Sequence, residues 1–142
     1  MYDISRFTDA QGRSFPTALA EIKRGRKMSH WMWYIFPQVA GLGFSSTAQY
    51  YSISGLEEAR EYLSDDYLKS NLLEISFALL QLPGSDAEAV LGWPDCLKLR
   101  SCMTLFKYAA PDEPVFQQVL DKYYDGKDDW KTVDILGIRT TR

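Results

Sequence analysis

Apolar residues recur at intervals of three and four along most of the chain, and the segments they mark carry recognisable helix ends. From about Phe15 to Arg24, Ala18, Leu19 and Ile22 keep helical spacing, Pro16 suits a first turn, and Gly25 can close the C-terminus. Ser54 with Glu57 has the spacing of a capping box, and Ala59, Tyr62 and Leu63 then face inward. Asp65 or Asp66 can cap the following helix, where Leu68, Leu72, Ile75, Leu79 and Leu82 hold a 3.6-residue period until Pro83-Gly84. Ser85 with Glu88 makes a second capping box, opening a short helix that Gly92 stops. Pro94 begins a helix from Asp95 to Tyr108, and Pro114 begins another with Phe116, Val119, Leu120 and Tyr123, ended by Gly126. Strand patterns are confined to two short runs, Trp33 to Phe36 and Val133 to Ile138. The pattern therefore predicts an all-α, compact multihelical single domain spanning 1–142, with at most one minor pair of short strands.

Composition supports a folded chain. A hydrophobic share of 46% and a charged share of 25% are ordinary for globular proteins, while 14% aromatic residues is high and serves a rich core or a stacking site equally. A net charge of −3 and a pI of about 5.1 argue against a dedicated nucleic-acid binder, although the local run Lys23, Arg24, Arg26 and Lys27 can hold one phosphate. The segment Met1 to Phe7 has no basic region followed by an apolar stretch, and charge or proline interrupts every apolar segment before membrane-spanning length. Cys96 and Cys102 fall in one predicted helix, their Cα atoms roughly 9 Å apart and so out of disulfide reach. These features lead to the expectation of a cytoplasmic protein in a reducing compartment, with no membrane partner.

Two segments concentrate candidate chemistry. The run from Gly25 to Ser46 holds the only histidine, His30, which can act as acid, base or hydrogen-bond donor near neutral pH, or can be a structural residue bonded to backbone. Trp31 and Trp33 would share a face on an extended segment and diverge on a helix; large aromatics are more often core than ligand platform. Gln38 follows, and then Gly41, Gly43 and Ser45, whose backbone N–H groups can meet an anion, or whose glycines simply supply turns. That run lacks both the GxGxxG and the Walker A pattern. The second segment, Lys98 to Phe106, places Lys98, Ser101 and Thr104 on one helical stripe, offering a cation and two hydroxyls to a phosphate or ribose. The same hydroxyls can instead bond back to helix carbonyls. One histidine and two badly spaced cysteines leave only carboxylates for a metal, and no DxDxDG loop exists, so neither metal nor cofactor is expected. A pairing of His30 with Cys96 or Cys102 has no local support. Asp121, Asp125, Asp128 and Asp129 look like a solvated face and helix-end loop.

The strings RFTDAQ, ALAEIKRGRKMSHWMWYIFPQVAGLGFSSTAQYY, LGWPDCLKLRSCMTLF and FQQVLDKYYDGKDD resemble one bacterial family over nearly the whole chain, the domain of unknown function family 1810. Matching motif positions are Lys27, His30, Trp31, Trp33, Phe36, Pro37, Gln38, Gly41, Gly43, Ser45, Lys98, Ser101 and Thr104. Cys102 stands where the family commonly has serine, which argues against a shared catalytic thiol. The resemblance implies a compact multihelical domain and implies no particular reaction. The name calpastatin, sometimes attached to the family, fits poorly, since calpain-inhibitor repeats are disordered and this composition folds.

Two functions of different class follow. In the first, Trp31, Trp33 and Phe36 wall a pocket where Lys27, His30, Gln38, Lys98, Ser101 and Thr104 converge. It would take a small molecule with an anionic group, phosphorylated or nucleotide-like (of the ADP-ribose type), with His30 as acid or base if chemistry occurs. In the second, the same aromatic segment serves a protein-interaction or structural module without catalysis.

Overall fold

A computed structural model describes residues 2–138 and builds them from nine helices. In chain order these are α1 (Ser5–Lys23), α2 (Met32–Ile35), α3 (Ser46–Tyr50), α4 (Leu56–Ser64), α5 (Asp66–Gln81), α6 (Ala87–Leu91), α7 (Asp95–Ala109), α8 (Val115–Tyr124) and α9 (Trp130–Leu136). The all-α class holds. Helix α7 is the central post: every residue from Ser101 to Phe106 is buried, as expected of a helix packed on several sides. It packs against α4, α6, α8 and α9, while α5 lies between α1 and α8.

Helix α1 is longer than the periodicity predicts, starting at Ser5 rather than near Phe15. Its inward face runs Phe7, Ala10, Gln11, Phe15, Ala18, Glu21 and Ile22, a helical stripe interrupted by two polar residues. Gln11 belongs there because its amide is satisfied: it donates to Tyr34 O (2.8 Å) and Tyr62 Oη (2.9 Å) and accepts from Asn71 Nδ2 (3.0 Å). Pro16 accordingly lies inside the helix and not in its first turn.

Of three cap assignments, one holds and two resolve differently. Asp65 caps α5 through Leu68 N–H (3.0 Å). In α4 it is Glu58, not Glu57, that accepts from Ser54 N–H (2.8 Å), and Glu58 also pairs with Arg6 at 2.8 Å, joining α4 to the start of α1. Helix α6 is capped by Asp86, which accepts from Ala89 N–H at 3.2 Å, and not by Ser85.

Neither predicted strand forms. Trp33 to Ile35 lies in α2, and Val133 to Leu136 lies in α9, where Asp129 accepts from Thr132 N–H (3.0 Å) and so nucleates a helix despite the β-branched residues. The extended pairing among the described residues is a single parallel bridge between Val39 and Ile53. Its hydrogen bonds, Ala40 N–H to Ile53 O (2.7 Å) and Ile53 N–H to Gln38 O (2.8 Å), fasten the segment before the glycine loop to the segment before α4. Cys96 and Cys102 are free and buried. No described helix is long and apolar enough to cross a membrane.

Candidate functional site

The loop carrying His30 and Trp31 is organised from below by Glu21, a residue only 2% exposed. Its carboxylate accepts from Met28 N–H (2.7 Å), Ser29 N–H (3.0 Å), Ser29 Oγ (2.6 Å) and Trp31 Nε1 (2.9 Å). Burial pushes the Glu21 pKa up, but these donors overcome that and hold it at about 2. With its indole N–H committed to Glu21, Trp31 is core, and its ring packs on buried Phe36 with centroids 6.1 Å apart. Trp31 and Phe36 therefore lie beneath any site and do not wall it.

Lys27 and Lys98 meet at one carboxylate. Lys27 Nζ is 3.0 Å from Asp95 Oδ2, and Lys98 Nζ is 3.0 Å from Asp95 Oδ1. Burial raises the Asp95 pKa while the two ammonium groups lower it, and the lysines prevail. Each lysine also lies over an indole, Lys27 at 5.2 Å from the Trp31 centroid and Lys98 at 5.1 Å from that of Trp33.

Lys98 and Trp33 open onto a cleft of about 570 Å³ between the glycine loop, α7 and the start of α9. Its aromatic walls are Trp33, Phe44 and Trp130, and its cations are Lys98, Arg100 and Lys131. Gln38, Ser45, Ser101 and Asp129 add polar atoms. The glycine loop has steric reasons for its sequence. Gly41 has φ +101°, a conformation that side chains resist, and a Cβ on Gly43 would stand 2.7 Å from Ala48 Cβ. Ser45 caps α3, accepting from Ala48 N–H (3.1 Å), so that donor is already engaged. On the opposite wall Ser101 Oγ lies 3.2 Å from both Leu97 O and Asp129 Oδ2. Thr104, fully buried, donates to Arg100 O (2.8 Å) and accepts from Asp129 N–H (2.9 Å). Arg100 donates to Lys127 O (3.1 Å) and Asp128 O (2.7 Å). The α7 stripe thus anchors the turn before α9.

Of the residues singled out from sequence, the cleft brings together Trp33, Gln38, Gly43, Ser45, Lys98 and Ser101. Lys27 stands one carboxylate away, Thr104 and Trp31 lie underneath, and Gly41 faces Ile135 at the loop's edge. His30 is exposed and lines a separate, neighbouring cleft of about 540 Å³ with Tyr34, Tyr50 and Tyr51; Trp33 borders both. Sequence reasoning missed Phe44, Arg100, Trp130 and Lys131, and it assigned Asp129 to a solvated face and helix-end loop; Asp129 does stand at a helix end, opening α9, and it also lines the cleft. The available signal was the triplet Asp129-Trp130-Lys131, a capping residue followed by an aromatic and a cation. No group of three or more potential metal ligands is present among the described residues.

Among solved structures, the chain is similar to the conserved hypothetical protein Rv1873 from Mycobacterium tuberculosis. The two share 43% sequence identity and a TM-score of 0.94, over 97% of this chain and 99% of the other. Comparison with curated proteins finds no match. The family described as protein of unknown function (DUF1810) matches residues 1–136. A match over so much of the chain decides the relationship: the protein belongs to the DUF1810 family.

Proposed function

We propose that this protein binds a small anionic compound bearing a flat ring, of the nucleotide type, in the cleft between the glycine loop, α7 and α9. The observation that carries this reading is the meeting of Trp33, Phe44 and Trp130 with Lys98, Arg100 and Lys131 around one cavity of about 570 Å³. That size falls within the roughly 300–1,000 Å³ range of small-molecule pockets, and a few directed polar groups on apolar walls are their usual lining. Lys98 would meet the anion, an indole face would take the ring, and Ser45, Ser101 and Gln38 would fix orientation. Gly41 and Gly43 act by letting the loop lie close to α3 and α9. If a reaction occurs, His30 is the candidate acid or base, although it lines the adjoining cleft and shares only Trp33 with this one.

The test is a thermal-shift and calorimetric panel of nucleotides, ADP-ribose and inorganic phosphate. A nucleotide should raise the melting temperature of the wild type, and both Lys98→Ala and Trp33→Ala should weaken binding by about tenfold or more. Absence of any shift across the panel would sink the reading. A second reading, a protein-interaction module, draws on the exposure of Phe44 (84%), Trp130 (64%) and Leu97 (51%) around the same cleft. It predicts an inert ligand panel together with loss of partner binding in Phe44→Ala. A cytoplasmic location is part of the proposal, supported by two free, buried cysteines.

A further inference from the structure

A second cleft, of about 550 Å³, adjoins the first, and Arg100 and Trp130 line both. Its remaining walls include Lys107, Lys127 and Val133. From this shared ridge we infer that the ligand has two parts: two ring-bearing nucleoside units joined through phosphate, one unit in each cleft and the linker at Arg100. The inference rests on the nucleotide reading above and specifies its substrate class.

Three observations converge on it. Arg100 donates to the backbone carbonyls of Lys127 and Asp128, two residues of the second cleft's wall, so its charge is held at the boundary instead of swinging freely. A phosphate linker lying across that boundary would meet a preorganised guanidinium, the side chain best suited to oxyanion geometry. Trp130, 64% exposed, offers an indole to both clefts, and stacking accepts any base. Cations also flank the ridge on both sides, Lys98 and Lys131 in the first cleft and Lys107 and Lys127 in the second. Lys107 is engaged with Asp128 at 2.7 Å, whereas Lys127 has no ion pair among the described residues.

The experiment compares adenosine and guanosine monophosphates with the corresponding dinucleoside diphosphates by calorimetry on the full chain. The dinucleotide should bind the wild type tighter by about tenfold or more, because the second unit binds from a tethered position. Lys127→Glu and Val133→Arg change residues that line the second cleft and not the first. Both variants should abolish the dinucleotide's gain and leave mononucleotide affinity within about twofold, as expected of independent sites. Circular dichroism of each variant confirms folding, and either variant alone suffices. Mononucleotide binding without any dinucleotide gain, or a gain that survives both substitutions, overturns the two-part ligand and leaves the nucleotide reading standing. Failure of every compound to bind overturns both.

Discussion

Glu21 keeps its charge in a place where water scarcely reaches, since backbone, hydroxyl and indole donors converge on its two oxygens. Glu21→Gln puts an amide among those donors, and at neutral pH it should lower stability by about 2–3 kcal/mol, measured by chemical denaturation. The pH dependence follows from the depressed pKa. The stabilisation is complete above the ordinary value of 4.5 and is lost as pH falls from there toward about 2. The stability difference between wild type and Glu21→Gln should therefore shrink across that window; a difference constant down to pH 2 would count against the assignment. Nothing in the sequence marks Glu21, because its partners lie in a loop whose path only the fold determines. Gln11 is hidden for the same reason: a polar residue on the core face conceals the first half of α1 from periodicity.

At the scale of elements, α9 shows where local reasoning holds and where it stops. Helices α5, α7 and α8 were legible because their start signals, Asp65, Pro94 and Pro114, sit next to clean apolar periods. Val133 to Ile138 looked like a strand, since β-branched residues dominate it and its helical nucleus comes from Asp129, anchored by Ser101 and Thr104 more than twenty residues away in sequence. Asp129→Ala should cost about 1 kcal/mol through the lost cap. It should also weaken nucleotide binding, because Trp130 and Lys131 depend on that turn for their position. Denaturation and calorimetry on the same sample check both effects, and full binding by a destabilised variant would separate α9 from the site. Half of the cleft was visible in sequence for a related reason. The glycine loop and the α7 stripe are compact motifs, whereas the wall formed by α9 joins them only through tertiary hydrogen bonds.

For the molecule as a whole, order is unevenly distributed. Helix α9 buries Thr132 alone, while α5 and α7 bury long faces. Its amides should exchange with deuterium well ahead of those in α5 and α7, reflecting a lower opening free energy. A bound nucleotide should slow exchange in α9 and in 41–50 together, since the cleft spans both; protection in one alone would contradict a shared site. Charge is uneven as well. The chain carries a net −3, yet cations gather around the two adjoining clefts. The arrangement at Asp95 has an electrostatic corollary. A guest that draws Lys98 toward itself does not strand the aspartate, because Lys27, with a side chain only 9% exposed, remains as its counterion. Occupation and release of the proposed ligand would then leave no naked negative charge in the wall, with Lys98 as the moving arm and its neighbour as ballast.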